Sequence, residues 1–118
     1  MSQPQLFEFP ITTVWKLTSK DFSDLLITFV EGGGTYWCDH LLVSDDLSYQ
    51  DEDLFLKPDV TITITHGEEY GEEEKVTRSI AEIIEATGKC SPIDMDNFDA
   101  ETADVWIQTV FLGEVTYG

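Results

Sequence analysis

The sequence predicts an α+β domain in which about three helices pack on one face of a small antiparallel sheet, in the order β-α-β-β-α-α. Three observations predict it: an apolar helical stripe after residue 18, a strictly alternating segment at 60–65, and two later capping signals. A length of 118 residues suits one domain, and 42% hydrophobic residues with 12% aromatics supply a core. We therefore predict a single domain over 1–118, with residues 1–8 as a loose start.

The first half of the chain contains two predicted strands around one helix. The β-branched and aromatic residues of Ile11–Leu17 favour a strand. Thr18–Asp21 resembles a capping box, and the apolar positions after it, spaced as one helix face, are Phe22, Leu25, Leu26, Phe29 and Val30. Gly32 is predicted to end this helix as a left-handed cap. Glycines 32–34 follow a helix and precede a predicted strand at 35–41, which favours a turn over a phosphate-binding loop.

The middle of the chain contains two loops on either side of one strand. Residues 44–59 mix acids with apolar residues, and we predict a surface loop with Leu54 or Phe55 turned inward. Val60–Thr65 alternates apolar residues with threonines, which predicts a strand with one buried and one polar face. Gly67–Glu74 contains too many adjacent acids to pack inward and is predicted to be a solvated or partner-facing turn.

Two further helices and a tail complete the predicted fold. Ser79 opens a second capping box before a helix that Gly88 closes. Asp99 caps a third helix that ends before Gly113. The tail 114–117 is predicted to form a final short strand.

The charge is concentrated between Asp45 and Asp104. The whole chain carries 24 Asp and Glu against 6 Lys and Arg, a net charge of −18, and this window holds eighteen acids against four bases. Such self-repulsion destabilises a folded domain, so the concentration invites a functional explanation. It also excludes direct nucleic-acid binding, because affinity for phosphates comes from Lys and Arg.

No residues indicate catalysis, a metal site or a cofactor. Exposed clusters of acids stay ionised, whereas a catalytic pair needs unequal environments. Asp94–Asp99 resembles a calcium loop only faintly, since Phe98 occupies a position that needs an oxygen ligand. The remaining candidates are two isolated cysteines and two isolated histidines: Cys38, Cys90, His40 and His66. Their spacing matches neither a set of metal ligands nor a nucleophile with its base.

The sequence predicts a reduced cytoplasmic protein. It has no run of about 18 apolar residues, and it opens without a signal peptide. Its two cysteines are too few for a disulfide framework and are expected to be small buried hydrophobes. The oligomeric state stays open, a homodimer included.

The charge density suggests a DNA mimic. A compact domain of this length is roughly 35 Å across, so the window's net −14 along one face would place one charge per about 2.5 Å. Duplex DNA carries one negative charge per about 1.7 Å of its axis. The hypothesis is an inhibitor of the anti-restriction or anti-CRISPR type that occupies the groove of a basic nucleic-acid-binding protein. The predicted partner-binding residues are Asp45, Asp46, Tyr49, Asp51, Glu52, Asp53, Glu68, Glu69, Tyr70, Glu72, Glu73 and Glu74.

Two alternatives remain open. The chain could be an immunity protein or antitoxin that neutralises a basic nuclease, or a non-inhibitory acidic accessory protein of a larger assembly. Tyr49 and Tyr70 are the expected interface anchors, because tyrosine is enriched at binding hot spots. The mimic hypothesis gains weight if the acids of 45–53 and 68–74 share one rim; if they point apart, the charge is expected to serve solubility and the hypothesis is wrong.

The run 98–118, Phe-Asp-Ala-Glu-Thr-Ala-Asp-Val-Trp-Ile-Gln-Thr-Val-Phe-Leu-Gly-Glu-Val-Thr-Tyr-Gly, resembles the ending of small acidic uncharacterised proteins from actinobacterial phages, plasmids and mobile elements. The segment 33–37 is similar to their middle portion. The resemblance covers about a quarter of the chain, and it implies no particular activity for the protein. It implies a mobile-element accessory protein, which favours an inhibitor over a housekeeping enzyme.

Overall fold

Three helices and one three-stranded antiparallel sheet make up the fold, in a computed structural model that describes residues 15–34 and 36–118. The strands lie in the order β1-β2-β3, so consecutive strands are neighbours. The predicted α+β class is confirmed. The elements are α1 (Ser19–Thr28), β1 (Cys38–Val43), β2 (Thr61–His66), β3 (Glu74–Ser79), α2 (Ile80–Thr87) and α3 (Ala100–Leu112).

Side-chain caps set the start of each helix, as predicted. Thr18, Ser79 and Asp99 each accept a hydrogen bond from the backbone N–H three residues later, at 3.1, 3.1 and 2.9 Å. At Thr18 and Ser79 the reciprocal bond completes a capping box. These bonds satisfy amides that no helical carbonyl can reach, which fixes where the chain turns into helix.

The end of α1 differs from the prediction of a left-handed cap at Gly32. The chain continues through a π-helical turn, Phe29–Gly33, to Gly34 at φ −111°. Phe29 is buried, and its ring centroid lies 5.6 Å from that of Trp37. A Cβ on Gly34 would overlap the Phe29 ring. Glycine is therefore needed here for close approach to a core ring and not for left-handed backbone.

The sheet has one buried and one polar face, as the alternation in β2 predicted. Ile62 and Ile64 are fully buried toward the helices. On the other face, the hydroxyls of Thr63 in β2 and Thr77 in β3 are hydrogen-bonded at 2.7 Å. Leu42 is exposed on the same side. Among the described residues, the helices cover one face and leave the other open around Thr63 and Thr77, whereas Thr65 near the end of β2 is buried and departs from the predicted alternation.

Other strand predictions differ from the structure. The predicted strand Ile11–Leu17 lies partly outside the described residues, and residues 15–17 are not in a strand. The tail 114–117 is not a strand either. Strand β3 was missed, because its sequence is dominated by charged and hydroxyl side chains.

The core lies between the buried sheet face and the helices. Leu54 and Phe55 both turn inward, and Phe55 stacks on Phe22 with ring centroids 5.0 Å apart. Helix α3 contacts α1, α2 and β3, and the Arg78 guanidinium donates to the Phe111 carbonyl at 3.3 Å. This packing holds α3 across the sheet.

Candidate functional site

The predicted site residues fall into two groups at opposite ends of β2. We call Asp45–Asp53 the acidic loop and Glu68–Glu74 the acidic hairpin. The acidic loop lies in the connection that enters β2 at Thr61, and the acidic hairpin follows its last residue, His66. Six strand residues span about 17 Å. The two groups therefore do not share one rim, and the acids do not form one continuous face.

The acidic loop is partly occupied by structural contacts. Asp51 accepts a hydrogen bond from the Asp53 N–H at 2.9 Å and forms an ion pair with Lys57 at 3.1 Å. These contacts, the backbone bond first, lower the pKa of Asp51. Tyr49 is half-buried against the core, and its hydroxyl lies 3.5 Å from a Glu31 carboxylate oxygen. Asp51 thus stabilises the connection internally, and Tyr49 helps to hold the loop against the segment that follows α1, where Glu31 lies.

The start of the acidic loop is a tight turn in left-handed backbone. Asp45 and Asp46 have φ of 61° and 56°, and the Leu47 N–H donates to the Ser44 carbonyl at 3.2 Å. Two consecutive positive φ values are typical of a type I′ turn, which favours Asn-Gly. Two neighbouring aspartates are an unfavourable choice here, and both side chains are exposed. This turn therefore presents two adjacent carboxylates at the expense of local stability.

The acidic hairpin is a closed loop that keeps its side chains in solvent. Gly67 and Gly71 have φ of 85° and 73°, and the Glu72 N–H donates to the Gly67 carbonyl at 3.1 Å. Asp39, at a bulge in β1, accepts a hydrogen bond from the Glu68 N–H at 3.0 Å. Tyr70 is 72% exposed at the tip. The backbone is fixed while the carboxylates and this ring face outward.

The acidic hairpin has almost no neutralising charge around it. Among the described residues, the basic side chains within 4.0 Å of its carboxylates are two histidines, which pair with them only when protonated: His40 lies 4.0 Å from Glu68, and His66 lies 3.7 Å from Glu74. No Lys or Arg of the described chain lies within 4.0 Å of its carboxylates. The hairpin is therefore a patch of uncompensated negative charge.

A buried polar network lies behind the acidic hairpin. The carboxylate of Asp104 in α3 accepts hydrogen bonds from the Tyr36 hydroxyl at 2.5 Å, the Trp37 indole N–H at 2.7 Å and the Gln108 amide at 2.9 Å. Asp104 is 8% exposed and Gln108 is fully buried. Three neutral donors replace the water that a carboxylate loses on burial, which makes the burial tolerable.

The same network ties down the end of the described chain. The Gln108 side-chain oxygen accepts from the backbone N–H groups of Thr116 and Tyr117, both at 2.8 Å. The Tyr117 ring stacks on Trp37 at 5.1 Å, and its hydroxyl lies 2.7 Å from Nδ1 of His66. Nε2 of His66 is buried without a hydrogen-bond partner. The predicted tail strand is thus replaced by a segment held through one glutamine side chain.

Tyr36 provides a spectroscopic test of this network. Burial of its hydroxyl, and next its hydrogen bond to Asp104, raise the pKa of Tyr36 from 10.0 to about 12. Because ionisation is harder in the folded protein, this tyrosine favours folding below pH 10, and the contribution is lost as the pH rises through about 12. An ultraviolet titration should show a late tyrosine that is missing in Tyr36→Phe. Titration of every tyrosine near the ordinary value would contradict the network.

The cysteines and acids indicate no reactive centre among the described residues. Cys38 and Cys90 are each half-buried, somewhat less enclosed than predicted. Burial, and next the charge of Asp39, raise the pKa of Cys38 to about 11, so its thiol stays protonated near neutral pH. Within residues 15–34 and 36–118, no three His, Cys, Asp or Glu side chains are grouped to hold a metal ion. In the same residues, no helix has the length and apolar character needed to cross a membrane.

Comparisons with known proteins found no relative of this chain. The sequence matches no protein-family model, and the comparisons with curated proteins and with solved structures found no significant match.

Sequence reasoning missed four residues that surround the acidic hairpin. Asp39 joins it through the β1 bulge, and three further side chains come from distant segments: Tyr36, His66 and Tyr117. Tyr36 and Trp37 contact the segment 98–118 here, through hydrogen bonds with Gln108 and Asp104. These contacts join positions far apart in the sequence, so no local pattern could have shown the shared site.

Proposed function

We propose that the chain is a non-enzymatic inhibitor that occupies the nucleic-acid-binding groove of a basic partner, as a DNA mimic of the anti-restriction or anti-CRISPR type. The observation that carries this proposal is the acidic hairpin, an exposed cluster of carboxylates with no Lys or Arg nitrogen of the described residues within 4.0 Å. Such a surface attracts a basic groove over a distance and speeds the encounter. The predicted compartment is the cytoplasm, where enzymes that act on DNA would be met.

The two acidic groups lie at opposite ends of β2, which counts against one continuous DNA-like face and limits the proposal to a mimic with two contact points. Their separation of about 17 Å along β2 is roughly half a turn of duplex DNA, whose repeat is about 34 Å. It is also about twice the screening length at physiological ionic strength, which is about 8 Å. The two groups therefore act as separate negative patches. A groove that binds a duplex offers basic residues at comparable intervals, so it can engage both patches.

A second candidate is an immunity protein or antitoxin that neutralises a basic nuclease. The exposed Tyr70 within the acidic hairpin favours it, because tight inhibitor interfaces concentrate their binding energy in a few aromatic anchors. In that case one end of the molecule would make the interface, and the acidic loop would contribute little. An accessory protein, the third option, would join a stable complex without inhibiting it.

Charge-matched variants separate these functions. The hairpin variant combines Glu69→Gln, Glu72→Gln and Glu73→Gln, which spares the two glutamates near histidines. The loop variant combines Asp45→Asn, Asp46→Asn and Asp53→Asn, and asparagine tolerates the left-handed turn. The control variant removes three exposed acids from other parts of the surface: Glu85→Gln, Asp96→Asn and Glu114→Gln.

The measurement is inhibition of DNA binding by a panel of restriction and CRISPR complexes. For a mimic, the hairpin and loop variants should each weaken inhibition by about tenfold or more, while the control changes it less than about threefold. Inhibition by the unaltered protein should fall steeply between about 50 and 200 mM salt. Equal losses in all three variants, or no inhibition of any complex, would refute the mimic. Loss in the hairpin variant alone, with rescue of cells from a nuclease encoded beside this gene, would support the antitoxin.

A further inference from the structure

We infer that the cleft beside the acidic hairpin binds an arginine side chain of the basic partner. This rests on the proposed function for the nature of the partner and adds the residue type that the cleft selects. The cleft has a volume of about 230 Å³ and lies between the acidic hairpin, the β1 bulge and the end of the described chain. It is lined by Tyr36, Trp37, Asp39, Glu69, Tyr70 and Tyr117, together with Gly67, Thr116 and Gly118.

Aromatic rings form much of the cleft. Tyr117 lies against Trp37 with an interplanar angle of 8°, and its backbone is fixed by Gln108, so this wall is rigid. Tyr70 and Tyr36 are 72% and 53% exposed at its border. A cation over an aromatic face, within about 6 Å of the ring centroid, is attracted by the ring's quadrupole. An exposed tyrosine surrounded by acids thus offers both a flat surface and negative charge.

Two carboxylates complete the cleft. Asp39 accepts the Glu68 N–H through Oδ2 at 3.0 Å, and its Oδ1 accepts no hydrogen bond from the described residues. Glu69 is exposed and forms no ion pair with them. Burial raises the pKa of Tyr117, and the nearby Glu74 and Asp39 carboxylates raise it further. These carboxylates would attract a cation bound in the cleft.

The hydrogen bonding of this end of the molecule is also incomplete. Nε2 of His66, a residue only 8% exposed, has no hydrogen-bond partner and lies 3.7 Å from the Glu74 carboxylate at the base of the acidic hairpin. Buried polar atoms without partners are rare in folded proteins. His66 does not itself line the cleft; it contacts the cleft through its Nδ1, which lies 2.7 Å from the hydroxyl of Tyr117.

Arginine fits this combination better than other cations. Its guanidinium is planar, stacks on aromatic faces and presents several N–H donors in a fixed fork to carboxylates. Lysine offers a compact, strongly hydrated ammonium that stacks poorly. A metal ion needs a group of at least three ligating side chains, which the described residues do not form. An arginine from a DNA-binding groove would stack on Tyr70 and pair with Asp39 and Glu69.

The test compares two capped peptides of equal charge, hexa-arginine and hexa-lysine, by calorimetry and amide NMR. Hexa-arginine should bind about fivefold or more tightly, with the largest shifts at the Trp37 indole and the Gly67 amide. Asp39→Asn and Tyr70→Leu should abolish this preference, and Tyr70→Phe should retain it because the ring is kept. The three-acid control variant, Glu85→Gln with Asp96→Asn and Glu114→Gln, should also retain it.

The outcomes separate this inference from the proposed function. Equal binding of both peptides, or unchanged preference in Tyr70→Leu, would overturn the arginine cleft while leaving a charge-driven inhibitor intact. Binding of neither peptide would also overturn it. A clear arginine preference at the cleft, in a protein that inhibits no restriction or CRISPR complex, would support the cleft and refute the proposed function.

Discussion

Replacing Asp104 with alanine should lower the free energy of unfolding by about 2–4 kcal/mol, because it leaves buried donors without an acceptor. The Trp37 indole N–H loses its acceptor, and the Gln108 amide and Tyr36 hydroxyl each lose one of theirs. Loss of the buried charge itself offsets part of the effect. Chemical denaturation monitored by tryptophan fluorescence measures the change.

Two neighbouring substitutions make this result interpretable. Asp104→Asn keeps an oxygen acceptor for the indole and should cost about 1 kcal/mol. Val105→Ala, at the next position on the exposed side of α3, should change stability by less than about 0.5 kcal/mol. If Asp104→Ala were as stable as Val105→Ala, the network would not be a structural support of the acidic hairpin.

Gly67→Ala should destabilise the fold by about 2–4 kcal/mol, and the left-handed backbone accounts for about 1–2 kcal/mol of this. The remainder comes from a steric clash, because a Cβ at this position would overlap the Glu72 carbonyl oxygen across the closed hairpin. The hairpin must open to relieve the clash. Binding to a basic partner should weaken together with stability, and denaturation and calorimetry measure the two effects.

Gly71→Ala is the matched control for this prediction. Gly71 has a similar φ, 73° against 85°, but a Cβ there meets nothing within 4 Å. It should show the backbone penalty alone, about 1–2 kcal/mol. Equal effects of the two substitutions would mean that the contact between Gly67 and Glu72 does not hold the hairpin closed.

The helices could be predicted because their signals are local. The capping bonds of Thr18, Ser79 and Asp99 join residues three positions apart, and the apolar stripe of α1 lies within two turns. Strand β3 could not be found in this way. Its one large apolar residue is Val76, and its pairing with β2 depends on a partner strand and not on its own composition.

The charge of the candidate site could be predicted from the sequence, but its shape could not. The exposure of the acidic hairpin follows from adjacent like charges, whereas its neighbours Asp39 and Tyr117 come from segments distant in sequence. The opposite placement of the two acidic groups follows from the sequence, because a single straight strand between two loops puts them at its two ends.

The open side of the sheet gives the negative charge a further consequence. Strand β3 is an outer strand of the described sheet, and its Thr77 side chain is exposed on the open face. Outer strands are templates for pairing with another chain, which leads to aggregation. A second copy that approached β3 would bring its own net charge of −18 against the first. The acids that attract a basic partner therefore also keep identical copies apart.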